Sequence, residues 1–311
     1  MTSGLRTVWR RIKRLINPLT DAVAGRLAVL LLKAVRLTDP DRMADFVGWV
    51  LRAVGPRLRE HRIGRANLAA AFPEKLDSEI EGILHGVWDN LGRIAAEFAH
   101  LDRLWDHDED APERPARVEF SAKTKLAFDT MRDDGKPALI FAAHLANWEM
   151  PALAAAAHRL DSAVLYRRLN IGAVADAVIK LRAGGMGMLI AGGPDAPFKI
   201  TAVLERGGHV AMLVDQHYER GVDVTFFGRR CKANPMLARL ARHYDCAIHG
   251  SRAVRLPGHR FRVDLTEPIE TPRDADGRID VAGTMQAITS VIEGWVREHP
   301  EQWLWLHRRW R

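Results

Sequence analysis

The chain has 311 residues, 47% hydrophobic and 27% charged, enough apolar content for one large α/β domain or two smaller ones. Its two cysteines, Cys231 and Cys246, lie outside any CxxC pair, so the sequence carries neither a disulfide framework nor a zinc site, and a reducing compartment is implied. The formal net charge is +7, and residues 1–36 hold all of it: Arg6, Arg10, Arg11, Lys13, Arg14, Arg26, Lys33 and Arg36 face Asp21 alone, leaving the remainder formally neutral and without a nucleic-acid footprint.

Residues 1–36 read as a basic, amphipathic, membrane-anchoring segment. In AVAGRLAVLLLKAVRL the charges Arg26, Lys33 and Arg36 are seven and three apart, which gathers them on one side of a helix otherwise made of Ala, Val and Leu. Such a helix suits a bilayer interface, with its cations snorkelling to the headgroups. An amphipathic helix packed on the protein's own core has the same pattern. No run of 18 uncharged apolar residues demands a spanning helix, and the A-x-A pattern at Ala22 to Ala24 precedes the apolar run, against a signal peptide.

Residues 37–115 read as helical up to about Asp110, through FVGWVLRAVGPRL and ILHGVWDNLGRIAAEFAHL, and end in an acidic linker or exposed turn, Asp106 to Ala116. From 116 to 311, short apolar runs (VEF, ALIFAAH, SAVLY, MGMLIAG, HVAMLVD, CAIHGSRAV, FRVDL) alternate with helical patterns. The fold class is therefore α/β, a mostly parallel central sheet flanked by helices with chemistry at strand ends, and 37–311 forms one compact unit. A last helix, TMQAITSVIEGWVREHP, leads to a tail in which Trp303 and Trp305 read as packed and Trp310, with Arg308, Arg309 and Arg311, as its basic end.

The densest chemistry lies in PALIFAAHLANWEMP, Pro137 to Pro151. A buried strand ends at His144, Asn147 can cap a helix, and Pro151 is tolerated only near a helix start. A carboxylate on one imidazole nitrogen fixes the tautomer and frees the other to take a proton from a hydroxyl, a general base that needs no metal. Glu149, five residues on, is the expected carboxylate. Chance alone yields roughly one or two such spacings in a chain of this composition. The other instance, His259 and Asp264, follows a Pro-Gly turn on a single strand, where residues five apart face opposite ways at about 17 Å. Only His144 and Glu149 straddle a turn that can fold them together.

HLANWE resembles the His-x4-Asp/Glu block of the glycerolipid-type acyltransferases, in the version carried by the lipid A late acyltransferases (lauroyl and myristoyl transferases). RANLAAAFP (Arg65 to Pro73), LYRRLN (Leu165 to Asn170), the arginine before GGMGMLI (Arg182), VAMLVDQ (Val210 to Gln216), FFG (Phe226 to Gly228) and HPEQWLWLHRRW agree in order and spacing. Arg168 stands where many relatives have proline after Arg167. The resemblance implies catalysis by His144 and Glu149 and transfer of an acyl chain from an acyl carrier protein or coenzyme A thioester to a hydroxyl of a lipid A precursor, a membrane glycolipid. It implies the cytoplasmic face of the bacterial inner membrane, with no resident cofactor, metal or nucleic acid. Another glycolipid acceptor, such as a phosphatidylinositol mannoside, and thioester hydrolysis are the alternatives.

Arg167 and Arg168 follow an apolar strand into the same strand-end cleft, where guanidinium suits phosphate. Arg182 leads into a glycine-rich stretch, and Asp215 ends an apolar strand. With Asn147 these are the expected substrate-binding residues, although a solvated arginine or a turn cap explains each equally well. There is no G-x-S-x-G elbow, no G-x-x-x-x-G-K-[ST], and the glycine run breaks G-x-G-x-x-G at Ile190. His107, between Asp106 and Asp108, reads as part of a solvated acidic loop and not as a metal ligand.

Overall fold

A computed structural model describes residues 25–106, 116–167 and 172–310. The basic cluster Arg6 to Arg14, most of the acidic linker, and Arg168 lie outside the described residues. The helices are α1 (25–36), α2 (Pro40–Val54), α3 (Arg59–Ala71), α4 (Asp77–Glu97), α5 (Leu101–Leu104), α6 (Ala122–Asp133), α7 (Met150–Ala157), α8 (Gly172–Ala183), α9 (Ala196–Glu205), α10 (Met236–Tyr244) and α11 (Val281–Glu298). The strands are β1 (Val118–Glu119), β2 (Ala138–Ala142), β3 (Ser162–Tyr166), β4 (Met188–Ala191), β5 (His209–Leu213), β6 (Val222–Phe226), β7 (Arg229–Ala233), β8 (Ala247–Leu256) and β9 (Arg260–Leu265).

Seven strands form one sheet in the order β1-β9-β8-β2-β5-β3-β4, with only the β8–β9 pair antiparallel. The expected α/β class and mostly parallel sheet are what the structure shows. All five residues of β2 are buried, as a strand covered on both faces requires. One face of the sheet packs on α6 and α7 through Ala138, Ile140, Phe128, Met150 and Leu153. Leu139, Phe141, Val210 and Ile248 on the other face share a core with α4, α9, α10, α11 and the tail. Cys231 and Cys246 are both buried and free.

The helical N-terminal layer is set by period and by glycine. Ile80, Leu84, Val87, Trp88 and Ile94 recur on one face of α4 and are buried. Where α4 crosses α2, Gly92 and Gly48 bring the backbones into contact: a Cβ on Gly92 would lie 2.5 Å from the Val47 carbonyl and 2.7 Å from Gly48 Cα. On α1, Leu27, Leu30 and Leu31 are exposed while Arg36 turns inward to Asp102 at 2.8 Å and the Ala99 carbonyl at 2.9 Å. Arg36 therefore clamps α1 to the protein and does not join Arg26 on an outward cationic stripe. Among the described residues no helix is long and apolar enough to cross a membrane.

The α2–α4 contact makes a prediction. Gly92→Ala overpacks the crossing and should cost about 1–3 kcal/mol in chemical denaturation. Gly82→Ala, exposed on the same helix with nothing within 4 Å of its added Cβ, should instead gain about 0.4–1 kcal/mol. Equal effects at the two sites would contradict the packing described.

Candidate active site

β2 and β5 are parallel neighbours, with Ala142 opposite Leu213. His144 and Asp215 each stand two residues beyond that last pair, so the shared register sets them side by side at the carboxyl ends of the strands. The His144 Nδ1–Asp215 Oδ1 distance is 2.7 Å, and Asp215 Oδ2 accepts from the His144 backbone N–H at 2.9 Å and from the Trp303 indole at 2.8 Å. With its proton committed to the carboxylate through Nδ1, the neutral imidazole presents Nε2 as a proton acceptor. Nε2 has the side-chain amide of Gln216 3.4 Å away, and the edge of the Trp148 ring packs against the imidazole with 5.0 Å between centroids.

Burial alone would pull the His144 imidazole down. The Asp215 charge and hydrogen bond, with a smaller contribution from the Glu149 charge, outweigh it and hold His144 above the ordinary histidine value. Burial likewise pushes Asp215 up, but His144, His307 and the donated N–H bonds hold its carboxyl well below the ordinary range.

Glu149 does not orient His144. Its carboxylate takes both guanidinium arms of Arg182, at 2.8 Å to Nε and through a second bond from Nη2. Sequence proximity favoured Glu149, but α7 begins directly after it and carries it toward α8. The nitrogen it was expected to hold is taken by a residue 71 positions away.

The expected substrate-binding set is corrected in the same way. Asp215 is 2% exposed and faces inward, so it positions the imidazole and cannot meet substrate. Asn147 is fully buried: Nδ2 donates to Glu97 at 3.0 Å and Oδ1 accepts from the Glu149 N–H at 3.1 Å. Arg182 lines the cavity, but its charge is matched by Glu149 and its plane sits between the Phe98 and Tyr166 rings, at 5.4 and 5.8 Å. Arg167 is exposed at the cavity mouth and among the described residues meets no carboxylate. His259 points to Asp45 while Asp264 pairs with Arg252 and Arg262, so the second His-x4-acid spacing is indeed apart.

The loop carrying His144 is strapped by the tail. Leu304 N–H donates to the His144 carbonyl at 3.1 Å and Ala146 N–H to the Gln302 carbonyl at 2.9 Å. Trp303 and Trp305 are buried, as expected. Asn67, from the RANLAAAFP segment, holds the tail's Trp305 and His307 carbonyls at 2.9 and 2.8 Å. Gln216 and the Trp303 indole belong to the site but were not singled out from sequence. The signal for Asp215 was its position at a strand end, which acquires meaning only once β2 and β5 are known to be neighbours.

His144 Nε2 opens on a cavity of about 870 Å³. The cavity runs along the sheet beneath α7 and α6, lined by Ile140, Ala142, Val164 and Ala211 on one side and Ala152, Ala155, Phe128 and Met131 on the other. Among the described residues no cluster of His, Cys, Asp or Glu could hold a metal ion. An imidazole base with a buried carboxylate behind it and an apolar channel in front can deprotonate a hydroxyl beside a long apolar chain.

The model of one known protein family, bacterial lipid A biosynthesis acyltransferase, matches residues 19–311. A comparison with curated proteins finds no match.

The pair also fixes a pH dependence. Asp215, depressed, contributes stability above its unfolded value near about 4 and loses it as pH falls; His144, raised, contributes fully below its unfolded value near about 6.5 and loses it as pH rises through its folded value. The stability advantage of the native protein over Asp215→Asn should therefore peak between about pH 4 and 6.5 and shrink on both sides. In the same variant the His144 imidazole, followed by NMR, should titrate lower than in the native protein; an unchanged titration would mean that Asp215 does not act on it.

Proposed function

The chain belongs to the bacterial lipid A biosynthesis acyltransferase family, and on that premise we propose that it moves an acyl chain from an acyl carrier protein thioester to a hydroxyl of a lipid A precursor. Its role as an acyltransferase of lipid A biosynthesis follows from the family. The donor, the hydroxyl acceptor and the base are the reading offered here. The observation that carries it is the carboxylate-backed imidazole whose free nitrogen opens on an apolar cavity.

His144 Nε2 removes the proton from the acceptor hydroxyl as its oxygen attacks the thioester carbonyl. Asp215, ionised throughout, offsets the imidazolium that forms. The oxyanion meets the amide of Gln216, close enough to donate. Collapse expels the donor's thiolate, which recovers the proton from His144. The thioester is already activated, so no covalent acyl-enzyme is required. Arg167, at the mouth without a described carboxylate partner, suits a phosphate of the pantetheine arm or of the acceptor. Glu149 fixes Arg182 beside Tyr166 as a wall of the mouth.

Both substrates carry long chains, and the exposed Leu27, Leu30, Leu31 and Leu37, with Phe46 and Trp49 on α2, form an apolar surface suited to a bilayer interface. We place the protein on the cytoplasmic face of the inner membrane, lying on it through α1 and α2.

His144→Ala should lower kcat by about 10²–10⁴-fold while leaving the unfolding midpoint near that of the native protein. Cells lacking the protein should yield a lipid A with one acyl chain fewer by mass spectrometry. Native turnover in the variant defeats the base assignment, and an unchanged lipid A defeats the acceptor. Product release without acceptor, at the rate seen with it, identifies a hydrolase instead.

A further inference from the structure

We propose that the cavity measures the acyl chain, with Phe128 and Met131 as its floor, so that the protein takes chains of about twelve carbons in preference to sixteen. The inference rests on the assignment of the cavity to the acyl chain.

The channel exists because small side chains line both walls. Ala142 and Ala211 face it from β2 and β5, and Ala152 and Ala155, three apart on one face of α7, face it from above. At the amino ends of the strands the small residues give way to large ones. Phe128 and Met131, three apart on α6, are 2% and 3% exposed, and Leu160 closes the same end. The floor is braced: the Phe128 ring stacks on His158, with centroids 4.5 Å apart and planes at 11°, and meets Phe120 edge-on at 6.2 Å.

The sheet register supplies the length. Ala138 and Ser162 both pair with His209, so Ser162, at the floor, lies level with Ala138. From Ala142 down to that level are four residues of strand, about 13 Å. A saturated chain with bonds of about 1.5 Å at about 111° advances roughly 1.25 Å per carbon, so about ten carbons fit below Ala142. The carbonyl carbon and its neighbour occupy the space between Ala142 and His144, which brings the total to about twelve. A chain of sixteen would have to displace the braced floor.

The test compares the native protein with Ala155→Phe, which blocks the lower wall, and Met131→Ala, which lowers the floor, after unfolding midpoints show that each is folded. Displacement of a bound fluorescent fatty acid by saturated fatty acids of 8 to 16 carbons reads the cavity without any transfer. Acyl carrier protein thioesters of the same lengths, with a lipid A precursor, read the reaction. The native protein should bind and use twelve carbons at least about ten-fold better than sixteen. Ala155→Phe should move the optimum to shorter chains by about two to four carbons, and Met131→Ala to longer chains by about two. If Ala155→Phe does not fold, Met131→Ala decides alone. A native preference for sixteen carbons, or one length profile shared by native and variant proteins, overturns the ruler. Displacement profiles that move as described in a protein that transfers nothing would leave the ruler standing and defeat the acyltransfer reading; transfer with an unmoved profile does the reverse.

Discussion

The bond between His144 and Asp215 is the interaction on which the site depends, and sheet register makes it. Two parallel strands paired from Ala138 with His209 to Ala142 with Leu213 deliver a histidine and an aspartate at equal offsets past their last pair. Because register in a sheet buried on both faces is fixed by which side chains face each core, a one-residue slip would turn β5 inside out and remove Asp215 from the imidazole. The hydrophobic alternation of β2 and β5 thus sets catalytic geometry as well as stability.

Around that bond the protein spends buried polar groups freely. Glu97 takes two guanidinium bonds from Arg255 and one from Asn147, and Asn90 links Arg255 to the Gln302 carbonyl, all beneath the loop that carries His144. A buried network of this kind is stabilising only when every member is satisfied, which makes it a device for holding one loop conformation and not a source of net stability. The tail completes the device. It hydrogen-bonds the loop's backbone on both sides of His144 and sends the Trp303 indole to the far oxygen of Asp215. The scattered family-like segments, RANLAAAFP at one end and HPEQWLWLHRRW at the other, thereby become one structure: Asn67 holds the tail, and the tail holds the loop.

Much of this was legible in the sequence. Alternating apolar runs gave the α/β sheet, His144 fell at a strand tip, the two tryptophans packed, and the Pro-Gly turn before His259 separated that histidine from Asp264. What escaped was nonlocal. A carboxylate five residues away is visible in a linear reading; one 71 residues away, brought close by strand order, is not. Asn147, Glu149 and Arg182 were rightly placed near the site, but their charges and donors are spent on one another or on Glu97. The β6–β7 hairpin, with its turn at Phe227 and Gly228, was also missed, since its half-charged sequence RRCKA hides the alternation. It has its own role: its Phe226 packs against Trp303 and Trp310 and supports the tail.

The central claim, that Asp215 and not Glu149 works through His144, is tested most directly by double-mutant cycles on the acyl-transfer rate. Combine His144→Ala with Asp215→Asn in one cycle and with Glu149→Gln in the other. A residue that acts only through the imidazole has no further effect once the imidazole is gone. The account predicts that Asp215→Asn costs nothing in the His144→Ala background, while Glu149→Gln costs as much there as in the native protein. An Asp215 effect that persists without His144, or a Glu149 effect that vanishes with it, would contradict the account.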